Sequence, residues 1–120
     1  MQNLFLLSVR VRLGGTGSSA SEGYVEALGS NGQWGGICYH NFDINDAQVI
    51  CQMLGYRSAI AALDANSMYG TAPSGSNHVL DNLGCTGTEL SVFDCPHNGE
   101  WQEDCAASEI AGVQCTSKIC

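Results

Sequence analysis

The stretch Ile44-Asn45-Asp46-Ala47-Gln48-Val49-Ile50-Cys51-Gln52-Met53-Leu54-Gly55-Tyr56 decides how this chain is read. Ala47, Ile50, Cys51 and Leu54 fall three and four apart, the period of one helix face, and Val49 and Met53 widen the stripe. Asp43 or Asn45 can cap its start, because a short polar side chain accepts the first free backbone N–H groups. Gly55 stands where a helix C-terminus takes a left-handed residue. The helix therefore buries a cysteine, Cys51, and aims it at whatever its apolar face packs against.

On either side the period changes to two. Val9-Arg10-Val11-Arg12-Leu13 alternates apolar and charged residues, as a half-buried strand does. Gly14 to Gly23 reads as a Gly/Ser loop, and Tyr24-Val25-Glu26-Ala27-Leu28 as a second strand. Asn31-Gly32 is a hairpin signal that returns the chain along Trp34 to Tyr39, which carries Cys38. These three strands predict an antiparallel meander. Beyond the helix, Ala59–Leu63 is a short apolar piece followed by a long surface loop to Asn77. His78-Val79-Leu80 and Ser91-Val92-Phe93 bracket the segment from Cys85 to Cys95, and Ile110 to Gln114 predicts a closing strand before Cys115. At 120 residues this is one domain with room for a core.

Cys85, Cys95, Cys105 and Cys115 fall ten residues apart, after Cys38 and Cys51 and before a seventh cysteine, Cys120. Paired CxxC spacing and Cys/His finger spacing are both absent, so disulfides in an oxidising compartment are favoured over metal thiolates. The formal net charge is −8, from 12 acidic and four basic residues, and no Lys or Arg lies between positions 58 and 117. Phosphate binding scales with the cations that displace counterions, so nucleic acid is excluded as a partner. No apolar run approaches the roughly 18 residues of a membrane span. Leu4-Phe5-Leu6-Leu7 is too short, and lacks a basic flank, to read as a signal peptide.

Three histidines, His40, His78 and His97, fall in separate loops, and neither a GxSxG elbow nor an HExxH helix is present. The chain reads as a non-enzymatic binding module whose histidines are loop hydrogen-bonders. Trp34, on an apolar strand, is expected in the core. Trp101, among Glu100, Gln102 and Glu103, is expected either exposed as a contact residue or partly buried against the loop from Cys95 to Cys105.

Seven blocks in order resemble one family. Val11-Arg12-Leu13-Gly14-Gly15, Glu22-Gly23-Tyr24-Val25-Glu26 and Gln33-Trp34-Gly35-Gly36-Ile37-Cys38 are similar to the opening of a scavenger receptor cysteine-rich (SRCR) domain. The segment Ile44–Tyr56 resembles the family's helix, and Leu80-Asp81-Asn82-Leu83-Gly84-Cys85-Thr86-Gly87-Thr88-Glu89 its LDD block. Cys95-Pro96-His97-Asn98-Gly99 and Ser108–Cys115 resemble the last two blocks. The resemblance implies an α+β fold: a curved antiparallel sheet cradling one helix, with long loops. It places the SRCR domain at residues 9–115, between an N-terminal extension, 1–8, and a tail, 116–120, that carries Cys120.

The same resemblance implies the pairing Cys38–Cys105, Cys51–Cys115 and Cys85–Cys95, the six-cysteine form. The eight-cysteine form adds a pair near Ser21 and at Tyr56, and neither position is Cys here. Family members often bind Ca²⁺ and, through it, extracellular proteins or microbial surface ligands. One family site uses two adjacent carboxylates after the Cys38 position together with a Glu at Glu109. Here Tyr39-His40 replaces that pair. A second site maps onto Asp81, Asn82 and Asp104, the candidate Ca²⁺ ligands of this chain. No other cofactor is implied. Trp101, Glu103 and Glu109 are the candidate ligand-contact residues, on an acidic loop surface from Asp81 to Glu109. The implied function is extracellular ligand recognition, in a secreted protein or the outer part of a cell-surface receptor. Two alternatives stand beside it: an assembly element dimerised through Cys120, and a regulatory domain of a larger secreted enzyme.

Overall fold

A computed structural model describes residues 9–117. The extension over residues 1–8 and Cys120 lie outside the described residues. Six strands are present: β1 (Val11–Ser19), β2 (Glu22–Leu28), β3 (Trp34–Ile37), β4 (Ala59–Asp64), β5 (His78–Leu80) and β6 (Ala111–Cys115). Two helices are present, α1 (Ile44–Met53) and a single turn, α2 (Asn66–Tyr69), with a 3₁₀ turn at Val92–Asp94. The strand order is β4-β6-β2-β3-β5, with β1 on β2. All pairings are antiparallel except β3 with β5. One edge of β2 carries β1. The other carries β6 along its first half and β3 along its second, which curls the sheet around α1.

Helix α1 begins where the sequence places it. The Asp43 side chain accepts the Asn45 and Asp46 N–H groups, and Asp46 returns a bond from the Asp43 N–H, a reciprocal capping box. Ala47, Val49, Ile50 and Cys51 are fully buried against Val25, Ala27, Ile37, Val79, Leu80 and Val113. Gly55 follows the helix at φ 92°. The buried Asp46 carboxylate has a second duty: it accepts the Cys85 N–H at 2.8 Å and so ties the helix N-terminus to the loop after β5. Burial pushes this carboxyl up to about 6.

The three disulfides are Cys38–Cys105, Cys51–Cys115 and Cys85–Cys95. The first two join residues 67 and 64 positions apart, so they close most of the chain. Where the eight-cysteine form would place its extra bridge, the Tyr56 hydroxyl donates to the Ala20 carbonyl at 2.8 Å. A hydrogen bond thus joins the two segments there.

Two readings of the sequence are corrected. The segment from Gly14 is no loop: β1 continues to Ser19, with a register shift between Gly14 and Ser19. Its polar small residues are carried by pairing to β2 rather than by propensity. Trp34 is half-buried rather than in the core, with the Arg12 guanidinium 4.0 Å from the centre of its ring.

Candidate functional site

The loops that follow β3 and β5 meet at one end of the sheet. Pairing holds them there: Cys38 N–H donates to Leu80 O, Tyr39 N–H to Glu109 O, Asn98 N–H to Asp81 O and Trp101 N–H to Val79 O. The Cys38–Cys105 bond fixes the loop that carries Cys105 to the one that follows β3. This brings His40, Asp81, Asp104 and Glu109 to one locus.

His40 stands at its centre. Nε2 lies 2.9 Å from Glu109 Oε2, and Nδ1 lies 3.5 Å from Asp81 Oδ1. Asp104 is exposed, and its charge acts on the same imidazole. The Glu109 hydrogen bond, joined by the charges of Glu109, Asp81 and Asp104, raises the His40 pKa against the smaller opposing effect of burial. Glu109 is lowered, first by the Ala106 N–H that its Oε1 accepts at 2.7 Å and then by His40. His40 therefore places an imidazole where the resembled family keeps a carboxylate.

The other predicted residues occupy settled positions. Asp81 is 2% exposed, and its Oδ1 accepts the Asn82 N–H at 2.8 Å. Asn82, at φ 55°, accepts Asn41 Nδ2 on its Oδ1 at 2.6 Å. Glu103 accepts the Cys105 N–H at 2.8 Å and lies 3.7 Å from Nδ1 of the fully buried His78. Trp101 is half-buried, away from the His40 group, with its ring over Gly29 and Gly35.

Ca²⁺ takes six to eight oxygens. Here the oxygens of Asp81, Asn82 and Glu109 already accept protein donors, and an imidazole stands between Asp81 and Glu109. Cys38, His40, Asp81 and Cys105 also place ligand atoms within 4.8 Å of one another, but both sulfurs belong to a disulfide and cannot act as thiolates.

Sequence reasoning missed one group altogether. Asn31, Gln33, Ser74 and Asn77 line a cavity with Trp34 and Trp101. They come from the β2–β3 turn and the loop before β5, and no local pattern marks them. Leu90, 90% exposed between Cys85 and Cys95, was likewise unmarked.

Comparisons with known proteins bear on the fold and the family. Residues 15–116 match the family model described as the scavenger receptor cysteine-rich domain. The chain is similar to the mouse macrophage receptor MARCO, 42% identical over 109 residues, covering 89% of this chain and 19% of that protein. It is similar to human lysyl oxidase homolog 2, 40% identical over 111 residues, covering 92% of this chain and 14% of that protein. The crystal structure of the dimeric form of the mouse MARCO SRCR domain superposes with a TM-score of 0.69 at 41% identity, covering 79% of this chain and 86% of that one. The third SRCR domain of murine neurotrypsin gives 0.73 at 37% identity, covering 88% and 94%. The chain thus spans less than a fifth of the length of these two curated relatives.

Proposed function

The chain belongs to the scavenger receptor cysteine-rich domain family, and from that premise we propose that it is an extracellular ligand-recognition module acting through its acidic loop face. The observation that carries this reading is the convergence of Asp81, Asp104 and Glu109 on one disulfide-anchored locus. The surrounding loops add Glu89, Asp94, Glu100 and Glu103, of which Glu100 lies 3.8 Å from the Arg10 guanidinium. Such a field selects partners of positive charge and speeds their encounter. Three disulfides suit a secreted protein or the outer part of a receptor. Among the described residues no helix is long and apolar enough to cross a membrane.

The test is binding to an immobilised oligolysine peptide. Asp94→Lys/Asp104→Lys, at two exposed positions, is expected to weaken it at least about tenfold, and raised salt is expected to do the same. Binding unchanged by both would defeat the proposal. Calcium assistance through Asp81, Asn82 and Asp104 is the finer form. It requires Asn82 Oδ1 to leave Asn41 and a cation to replace His40 beside Asp81. Calorimetry decides it: heat on adding Ca²⁺ that Asp104→Asn abolishes supports it, and a silent wild type removes calcium from the proposal.

A second reading is a regulatory domain of a larger secreted enzyme, supported by the likeness to human lysyl oxidase homolog 2. Assembly through Cys120 is a third, in line with the dimeric form of the MARCO domain. Sedimentation of wild type and Cys120→Ser without reductant separates it: a dimer lost in the variant supports it, and two monomers exclude it.

A further inference from the structure

The chain contains two Asn-Gly pairs, Asn31-Gly32 and Asn98-Gly99, and all four residues are exposed. An asparagine followed by glycine carries its own reaction partner. The glycine nitrogen, on losing its proton to solvent, attacks the neighbouring carboxamide, and no Cβ on the glycine obstructs the approach. The reaction needs a glycine N–H open to solvent and a carboxamide free to turn toward it. The fold treats the two pairs differently in both respects.

Asn31-Gly32 is held at the very groups that would react. The Gly32 N–H donates to Gly29 O at 3.0 Å, inside a turn closed by the Gly29 N–H on Gln33 O at 2.8 Å. Asn31 Oδ1 accepts the Gln33 N–H at 3.1 Å, so the carboxamide is tied as well. Ladder pairing of β2 with β3 begins directly beside this turn, with Leu28 opposite Trp34, and keeps it from relaxing. Attack at Asn31 must first break these bonds.

Asn98-Gly99 is held only at its flanks. The Asn98 N–H donates to Asp81 O at 3.0 Å, and Gly99 O accepts the Gln102 N–H at 2.9 Å. Between these anchors, neither the Gly99 N–H nor the Asn98 carboxamide bonds to any group of the described protein, and both face solvent. His97 Nδ1 donates to Asn98 O. That oxygen and the Gly99 N–H belong to one resonant peptide unit, so a donor on the oxygen makes the N–H a stronger acid. Among the described residues no donor reaches Asn31 O.

We propose that Asn98 is a site of spontaneous deamidation, with water as the co-reactant, and that the fold directs the reaction there while protecting Asn31. The Gly99 nitrogen bonds to Asn98 Cγ, the Cγ–Nδ2 bond breaks, and the amide group leaves as ammonia with the proton lost from Gly99. Water then opens the resulting succinimide ring. Attack at Cγ gives aspartate. Attack at the former backbone carbonyl gives isoaspartate, in which the chain runs through the side chain and the old carbonyl becomes a free carboxylate. The His97 donor polarises that carbonyl and so favours isoaspartate. Either product adds a negative charge to a chain whose formal net charge is already −8. Isoaspartate also inserts a methylene into the backbone between the Asp81 and Gln102 anchors. Asp81 lies against His40, so the altered loop pulls on the acidic locus and leaves the β2–β3 hairpin untouched. None of this depends on what the acidic face binds.

The test is incubation of the disulfide-intact domain in neutral buffer at physiological temperature, followed by peptide mapping with mass spectrometry. Isoaspartate is read separately, by labelling with an isoaspartyl methyltransferase. In the folded domain Asn98 is expected to deamidate at least about tenfold faster than Asn31, because hydrogen bonds guard only the latter. In the reduced, urea-unfolded chain the two rates are expected to converge to within about threefold, because tertiary contacts no longer distinguish the pairs. Gly99→Ala is expected to suppress the reaction at Asn98 without unfolding, since the added Cβ meets only the movable Gln102 Cγ, at 3.3 Å. His97→Phe is expected to slow Asn98 and lower its isoaspartate fraction, and an unchanged rate and fraction would overturn the part given to His97. A folded domain in which Asn31 reacts as fast as Asn98, or in which Asn98 stays intact, overturns the proposal. So does a preference for Asn98 that persists undiminished in the unfolded chain.

Discussion

The acidic locus and the Trp101 cavity are both polar, and both are assembled from loops far apart in sequence. They differ in how their polar groups are met. Around His40, Glu109 takes an imidazole and the Ala106 N–H, and Asp81 takes the Asn82 N–H. In the cavity, an indole N–H and a hydroxyl have no partner. Around His40 the bonded groups hold the loops in place while the exposed carboxylates beside them set the field outside, whereas the cavity carries no charge. Equal polarity therefore does not mean equal role.

The strongest way to break the comparison is to remove the frame that both regions share. Cys38→Ala/Cys105→Ala is expected to cost roughly 2–5 kcal/mol in denaturant unfolding, because the bond closes a long loop. Loss of the acidic locus should accompany it, seen as broadened resonances around His40. Next in size is Asp46→Ala. It strands the Asp43 and Cys85 N–H groups, at about 1–3 kcal/mol. Because burial raises Asp46 to about 6, the folded state holds its proton where the unfolded chain has released it. Wild-type stability should then fall as pH rises from 3.8 to about 6, and the variant should lack that slope in melting temperature.

Gly35→Ala sharpens the contrast from the other side. The new Cβ meets the Trp101 ring and Asn77 O, so about 1–3 kcal/mol of destabilisation is expected in denaturant unfolding, with no change in the resonances around His40. The smallest effect belongs to His40→Ala, below about 1 kcal/mol, because both partners are about 40% exposed. Its signature is the pH dependence. The raised His40 pKa means its contribution is complete below 6.5 and lost as pH rises through the higher folded value. The variant should lose that dependence, and the Glu109 carboxyl should titrate nearer its ordinary range.

Much of the fold was legible because its signals are local. The period of Ala47, Ile50, Cys51 and Leu54, the Asp43 cap and Gly55 each act within one turn of helix, and α1 forms where they place it. The disulfide pairing was legible only through resemblance, since spacing alone leaves several pairings open. The course of β1 beyond Gly14 was not legible, because glycines and serines have weak strand preference and are held by β2. Asp81, Asp104 and Glu109 were named from their blocks, and the structure brings them to one locus. That His40 would bridge two of them was not legible. Trp34 illustrates the limit: its apolar strand suggested the core, yet Arg12 and the cavity claim its ring.

The sequence by itself determined the helix and its buried cysteine, a cysteine content that favours disulfides, and an acidic surface without cations to bind phosphate. Each depends on residue type and short spacing. Only the tertiary structure decided which polar groups are satisfied. That depends on neighbours such as Glu109 and His40, 69 residues apart. It also depends on the close approach of an indole to two glycines, which no spacing along the chain encodes.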